Sequence, residues 1–282
     1  MSNAPITLEP GLYVTATPIG NLGDITYRAV NIMKSADFIL CEDTRQTGKL
    51  CSAYSIITPL EPYHDHNAAK VRPRIIERLS EGARVCLVSD AGTPLISDPG
   101  YKLVRAARDA GIAVIPAPGP SAIMAALSAA GAPTDQFYFA GFPPAKQTAR
   151  KKFFAQLSDI PATLVFYETG RRLGDSLTDL LGAFGERRCT IARELTKLYE
   201  EFVEGGFAEL ASIYVESPPK GEIVLVVYPP GEKKFSQLEI DEFLATALKN
   251  SSVKDAANAA AQSLGIARKH AYQRALELSK AK

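Results

Sequence analysis

The stretch Ser89-Asp90-Ala91-Gly92-Thr93-Pro94-Leu95-Ile96-Ser97-Asp98-Pro99-Gly100 constrains the fold more than any other part of the chain. An apolar run, Arg84-Val85-Cys86-Leu87-Val88, precedes it and reads as a buried strand; Tyr101 to Arg108 follows and reads as an amphipathic helix. A polar, Gly- and Pro-rich loop thus stands where a parallel strand passes to its crossover helix. That is the edge at which open α/β sheets bind ligands. Gly92 and Gly100 let a main chain approach a ligand, and Pro94 and Pro99 stiffen the loop. The same handover recurs at Thr17-Pro18-Ile19-Gly20-Asn21-Leu22-Gly23-Asp24, after the strand Leu12–Ala16, with a helix from about Thr26. It recurs again at Pro116-Ala117-Pro118-Gly119-Pro120-Ser121-Ala122, after Ala113-Val114-Ile115. Three loops of one kind at one kind of edge predict one shared cleft.

Alternation of strands near 12–17, 37–42, 57–61, 84–89 and 113–116 with helices predicts a mostly parallel sheet covered on both faces. Further strands read at 137–142, 163–167, 190–193, 200–204 and 222–228. Pro229-Pro230-Gly231-Glu232-Lys233-Lys234 reads as a linker to helices at 241–250, 253–264 and 268–279, with Gly265 breaking the last two at helix-turn-helix spacing. The expected organisation is an α/β domain over 1–119, a second α/β domain over 120–230, and a helical tail over 235–282. A length of 282 residues accommodates this.

A net charge of +1 does not by itself announce a nucleic-acid partner, so local clusters matter. Lys146, Arg150, Lys151 and Lys152 form one; Arg268, Lys269, His270, Arg274, Lys280 and Lys282 form another, opposed only by Glu277. Either reads as a phosphate-neutralising patch or as a solvated helix face. No apolar run reaches membrane-span length, and Met1 to Pro10 lacks a secretory pattern. Cys41, Cys51, Cys86 and Cys189 show no metal-site spacing, and Cys41 and Cys86 read as core thiols of a cytoplasmic protein. There is no G-x-G-x-x-G and no P-loop. His64-Asp65-His66 on an extended strand would put both imidazoles on one side, but no third ligand accompanies them, so a polar cleft role is expected in place of a metal.

The loops together resemble those of the ribosomal RNA small-subunit methyltransferases, a branch of the tetrapyrrole methylase superfamily. The motifs are Thr17 to Asp24, Glu42-Asp43-Thr44-Arg45, His64-Asp65-His66-Asn67, Ser89 to Gly100 and Pro118-Gly119-Pro120-Ser121. They continue with Gly141-Phe142-Pro143, Phe166-Tyr167-Glu168, Ala192-Arg193-Glu194-Leu195-Thr196-Lys197 and Lys220-Gly221-Glu222. The match is collinear from about Gly11 to Val227, and the helical tail is similar to that branch's C-terminal domain. Gly92-Thr93-Pro94 stands where cobalamin-pathway members commonly carry Gly-Asp-Pro. The resemblance implies two α/β domains with S-adenosylmethionine in the cleft between them, plus a small C-terminal helical domain, usually as a homodimer. The implied reaction is 2'-O-methylation of a cytidine in the decoding region of 16S rRNA, on the small ribosomal subunit and without metal. A precorrin-type C-methyltransferase and a non-catalytic RNA-binding assembly factor are the alternatives carried by the same loops.

By motif, the resemblance implies cofactor contacts from Pro18, Ile19, Thr93, Ile96, Ser121, Ala122, Tyr167, Glu194, Glu222 and Ile223. A ribose hydroxyl is a poor nucleophile, so a carboxylate at a strand end is expected to accept its proton. Asp43 and Asp90 are the expected bases and Arg45 the expected phosphate holder, with Glu42 and Glu168 as further carboxylates at strand ends. Arg193 and Lys146 also read as phosphate holders, and Asp43 doubles as a helix cap.

Overall fold

The computed structural model describes residues 7–231 and 236–280. Met1–Ile6, Glu232, Lys233 and Lys234 of the linker, and Lys282 of the basic tail lie outside the described residues. The chain forms two compact units, Met1–Pro229 and Pro230–Lys282.

The first half of the larger unit is a five-stranded sheet. Its strands are β1 (Gly11–Thr15), β2 (Phe38–Cys41), β3 (Leu60–Pro62), β4 (Arg84–Leu87) and β5 (Val114–Ala117), in the spatial order β3-β2-β4-β1-β5. Every pairing is parallel. Alternate side chains feed opposite faces. Ile39, Cys41 and Cys86 pack under α1 (Tyr27–Ser35) and α2 (Thr44–Ala53). Phe38, Leu40, Val85 and Leu87 pack under α3 (Asp65–Ser80) and α4 (Tyr101–Asp109). Burial on both faces is why these strands read as unbroken apolar runs.

Two expectations need correction here. The third strand begins at Leu60, not 57: Ile57 is 96% exposed, and the Thr58 hydroxyl donates to the Met33 carbonyl (2.6 Å), which holds this segment as a loop. His64-Asp65-His66 is not a strand. Pro62 ends β3, and the Asn67 side chain accepts from the His64 N–H (3.0 Å) and donates to the Pro62 carbonyl (2.9 Å), which starts α3 at Asp65.

After α5 (Ala122–Ala129) comes a second sheet. Its strands are β6 (Phe137–Gly141), β7 (Thr163–Thr169), β8 (Arg188–Arg193), β9 (Glu201–Gly206) and β10 (Glu222–Val227), in the order β6-β7-β10-β8-β9. Only β6 and β7 run parallel. One face carries Leu164, Phe166, Ile191, Ile223 and Leu225 against α6 (Gln147–Ala155), α7 (Gly170–Phe184) and α8 (Phe207–Glu216). The other face, with Val165, Ala192, Val224 and Val226, lies under Ile123, Ala126 and Leu127 of α5. Two α/β layers and a helical tail make up the fold.

The basic cluster on α6 is only partly a surface feature. Arg150 and Phe154, one turn apart, are both buried, and Arg150 Nε donates to Asp179 of α7 (2.8 Å). Both side chains are at most 3% exposed, so Arg150 is a structural cation, while Lys146, Lys151 and Lys152 stay at the surface.

The smaller unit packs α9 (Gln237–Ala247), α10 (Val253–Leu264) and α11 (Arg268–Lys280) around Ile240, Leu244, Ala256, Ala260, Ala271 and Ala275. Its first helix begins four residues before the expected 241, because Ser236 and Glu239 cap it reciprocally. The basic zone is also less free than expected. Arg274 makes a two-pronged pair with Asp241 of α9 (2.7 Å for each bond) as well as binding Glu277, leaving Arg268, Lys269 and His270 exposed.

Removing the anion from the buried α6–α7 pair leaves the buried Arg150 with only the more distant, exposed Asp175 (3.9 Å) as a counter-charge. Asp179→Ala is therefore expected to cost roughly 3–5 kcal/mol of unfolding free energy. Urea unfolding followed by circular dichroism measures it, and a cost below about 1 kcal/mol would contradict the role given to the pair.

Candidate functional site

Because the first sheet is wholly parallel, the loops after β1, β2, β4 and β5 all leave one edge. Hydrogen bonds then tie three of them together. Thr17 and Gly92 exchange main-chain bonds (Thr17 N to Gly92 O 2.9 Å, Gly92 N to Thr17 O 3.0 Å), and the Thr17 hydroxyl donates to the Ser89 carbonyl (3.2 Å). The Thr93 hydroxyl donates to the Pro120 carbonyl (3.1 Å). Gly92 has φ +76°, a backbone that favours glycine, and a Cβ there would crowd the Ile19 side chain at 3.2 Å. Leu95 (φ 75°) and Ser97 (φ 62°) hold left-handed backbone without being glycine, strain concentrated in the long loop.

The second sheet supplies the opposite wall. Tyr167, Val224 and Ala192 stand in register across β7, β10 and β8 and all border the cleft. The cavity is about 290 Å³. Eight of the ten expected contact residues line it: Ile19, Thr93, Ile96, Ser121, Ala122, Tyr167, Glu222 and Ile223. The Ile223 side chain goes into the core on the far face, so this residue borders the cleft through its main chain. Pro18 and Glu194 are not on the wall. Pro18 precedes Ile19, and Glu194 accepts from the Glu222 N–H (3.0 Å) while both carboxylates bind Lys197 (2.9 and 2.8 Å). A Cβ on Gly221 (φ +104°) would meet the Glu194 carboxylate at 2.5 Å, so only glycine leaves room for this arrangement.

Asp98, Ser97 and Phe142 also line the cleft and were not singled out in the sequence. Each lies inside a motif that was, so adjacency to the glycine and proline positions was their only signal. Tyr167 packs edge-on against Phe139 and at a tilt against Phe142, with ring centroids 4.8 and 5.3 Å away. Burial, with the Asp98 charge adding to it, pushes its phenol up to about 12.

The carboxylates at the strand ends are not equivalent. Asp43 caps α2 through the Arg45 N–H (2.8 Å) and forms a two-pronged pair with the Arg45 guanidinium (3.1 and 2.8 Å). The Arg45 side chain and main chain hold its carboxyl down to about 2, which makes it a weak proton acceptor. Asp90 accepts the Asp43 N–H (3.0 Å), linking the ends of β2 and β4. Glu168 is buried and engaged by the Thr169 N–H (2.8 Å) and the Ser176 hydroxyl (2.6 Å), with Arg172 Nε 3.3 Å away. Burial, then the charges of Asp90 and Asp65, raise Glu42. Arg193 is paired with Glu201 (2.9 Å), so it too is a structural cation. Among the described residues no group of three side chains is arranged to hold a metal ion, and no helix is long and apolar enough to cross a membrane.

Two α/β sheets with a loop-built cleft between them define the tetrapyrrole methylase class. The model of the family Tetrapyrrole (Corrin/Porphyrin) Methylases matches residues 11–211, and that of the RsmI C-terminal HTH domain matches residues 236–279. Solved structures with this fold include a uroporphyrin-III-C-methyltransferase from Thermus thermophilus, with TM-score 0.56 and 23% identity, covering 78% of this chain and 94% of that one. A diphthine synthase has TM-score 0.61 and 14% identity, covering 82% and 93%. These likenesses are of fold alone. Sequence relatives are much nearer. The ribosomal RNA small subunit methyltransferase I of Mesorhizobium japonicum is 47% identical over 96% of this chain and 93% of its own length. That of Escherichia coli O157:H7 is 44% identical over 94% of each. The chain belongs to the ribosomal RNA small subunit methyltransferase I family, a branch of the tetrapyrrole methylases.

Lys197 joins the two carboxylates behind the second wall. The Glu222 N–H and the Lys197 ammonium hold Glu194 below the ordinary carboxylate range, against burial. A depressed carboxyl contributes stability above its unfolded value and loses it as pH falls through the folded one. Lys197→Ala should therefore destabilise the protein at pH 7, by no more than about 1 kcal/mol for a partly exposed pair. The gap from wild type should narrow below about pH 4. Thermal melts at both pH values check this; a gap that widens in acid would contradict it.

Proposed function

We propose that the chain is an S-adenosylmethionine-dependent methyltransferase that methylates the 2'-hydroxyl of a cytidine in the decoding region of 16S rRNA, acting on the small ribosomal subunit. The observation that carries the reading is the cleft: three loops fixed to one another by Thr17–Gly92 and Thr93–Pro120, closed by the Tyr167–Val224–Ala192 row, in a chain whose relatives are named ribosomal RNA small subunit methyltransferase I.

The residues present suit S-adenosylmethionine. Ile19, Ile96 and Ala122 offer apolar surface for an adenine, while the Ser121 and Thr93 hydroxyls and the main chain of Ile223 offer polar partners. A molecule that carries a net positive charge and no phosphate also matches a wall bearing Asp98 and Glu222. Pro18 and Glu194 act one layer back, by setting Ile19 and Glu222. When bound, the cofactor supplies a methyl group already activated on a sulfonium, so the protein's task is alignment and proton handling.

Outside the cleft, Arg45 has an 88% exposed side chain and is oriented by Asp43, which suits it to hold an RNA phosphate. Asp90 fixes the Asp43 main chain. Lys146, Lys151 and Lys152 of the larger unit, and separately the exposed Arg268, Lys269 and His270 of the helical tail, offer further basic groups for phosphates. A homodimer belongs to the same reading, supported by Leu198 and Tyr199, which stand 87% and 69% exposed. A cytoplasmic location follows from the ribosomal substrate.

Labelled methyl transfer with the modified nucleotide mapped tests the function. Small subunits should be methylated better than naked 16S rRNA, because modest local charge favours an assembled surface over a free strand. Calorimetry on chelator-treated protein should detect S-adenosylmethionine binding. Transfer to a tetrapyrrole but not to rRNA, or no cofactor binding, would overturn the proposal.

Arg45→Ala should raise the KM for small subunits roughly tenfold, the low end for a charged hydrogen bond, with cofactor affinity little changed. Steady-state kinetics with saturating cofactor decide it; an unchanged KM would remove Arg45 from the RNA contact.

A further inference from the structure

The loop after β6 holds an aromatic ring out at the mouth of the cleft. Phe142 lines the cavity and is nevertheless 52% exposed. Its ring is the last of a row: Phe139 is partly buried against the core, Tyr167 packs on it, and Phe142 packs on Tyr167 and is the most exposed of the three. The ring is fixed from behind. Arg172 Nη2 donates to the Pro143 carbonyl (2.5 Å), and Pro143 and Pro144 restrict the main chain. A Cβ on Gly141 would touch the Ser97 hydroxyl at 3.6 Å, which sets this loop beside the one after β4. An apolar surface held rigid before any partner arrives loses little freedom on binding. Four residues further on, Lys146 stands at the start of α6, exposed and without an ion pair among the described residues. The neighbouring cations Arg150 and Arg172 are both committed to the protein.

We propose that Phe142 is a stacking platform for a nucleobase of the RNA substrate, with Lys146 on the same loop for a flanking phosphate. The inference rests on the rRNA methyltransferase reading above and assigns the subsite that receives the RNA. A ribose hydroxyl can reach a methyl group inside the cleft only if its nucleotide enters from the mouth, where Phe142 stands. A nucleotide drawn out of folded RNA loses its stacking on neighbouring bases, and an aromatic side chain replaces it. Every base has a π-face, so such a ring supplies affinity and orientation without choosing the base. The cofactor makes no demand on this pair. Ile19, Ile96 and Ala122 already give its adenine an apolar bed, and it carries no phosphate for a lysine. An RNA strand carries a planar base and an anionic phosphate in every nucleotide, which is the chemistry that an exposed ring and an unpaired cation on one loop match.

The test is steady-state methylation of small ribosomal subunits at saturating cofactor. Phe142→Ala should lower kcat/KM roughly tenfold, within the range of one base–aromatic stack. Phe142→Leu, apolar but without a π-face, should stay well below wild type, and Phe142→Tyr should recover most of the loss. S-adenosylhomocysteine affinity by calorimetry should change little in all three. Lys146→Ala should raise KM and flatten the salt dependence of subunit binding by about one released counterion. A second readout is independent of turnover. The chain contains no tryptophan, so Phe142→Trp produced with 5-hydroxytryptophan carries a single reporter distinct from ribosomal-protein tryptophan. Small subunits should quench it in the S-adenosylhomocysteine complex. Near-wild-type kcat/KM in Phe142→Ala or Phe142→Leu would overturn the platform, and so would a fall in cofactor affinity that matches the fall in activity. If Phe142→Ala does not fold, a reporter left unquenched by bound subunits would do so. An unchanged salt dependence in Lys146→Ala would overturn the phosphate contact. Failure of wild type to methylate small subunits would instead overturn the methyltransferase reading itself.

Discussion

Thr17 and Gly92 are 75 residues apart and exchange two main-chain hydrogen bonds outside any regular strand. The site depends on that exchange. It brings the loop after β1 against the loop after β4, puts Ile19 over Gly92, and positions Thr93 to bind the Pro120 carbonyl at the start of α5. Since α5 is packed on the second sheet by Ile123, Ala126 and Leu127, the same few bonds set the distance between the two walls of the cleft. Gly92 is the most constrained part of this arrangement, because its backbone is left-handed and a Cβ would crowd Ile19.

Charge is arranged around this frame in two ways. Cations that look available in the sequence are largely committed to structure: Arg150 to Asp179, Arg193 to Glu201, Arg274 to Asp241. Anions gather at the carboxyl edge of the parallel sheet, where burial and the Asp90 charge raise Glu42, and burial with the charges of Glu42 and Asp90 raises Asp98. Of these three, Asp98 lines the cleft and is half-buried there, while Asp90 is exposed at the strand end. Asp43, on the same edge, escapes that effect because Arg45 is two residues along and its carboxyl also caps a helix.

Strand positions, the parallel first sheet and the helical tail were legible in the residues because each rests on local pattern: apolar runs, Gly- and Pro-rich handovers, and a Gly265 break that the structure shows as a left-handed helix end. The helix 253–264 was legible to the residue, with Gly265 as its stop; the structure adds Ser252 as its cap. His64-Asp65-His66 was misread, since an extended pattern cannot be told from a helix start without knowing that Asn67 folds back on the His64 N–H. The second sheet's order was not legible at all, because antiparallel pairing of β10 between β7 and β8 is a long-range choice.

The sequence by itself determined which loops line the cleft, because glycine, proline and small polar residues at strand ends are local signals with local causes. It also determined the family, through motifs spread over most of the chain. Only the tertiary structure decided which charged side chains are available. Whether Arg150 faces solvent depends on Asp179, 29 residues away, and whether Asp98 or Asp43 can accept a proton depends on burial and on neighbours from other strands. Proton affinity is set by the field of the folded surroundings, and that field exists only once the sheet edge has assembled.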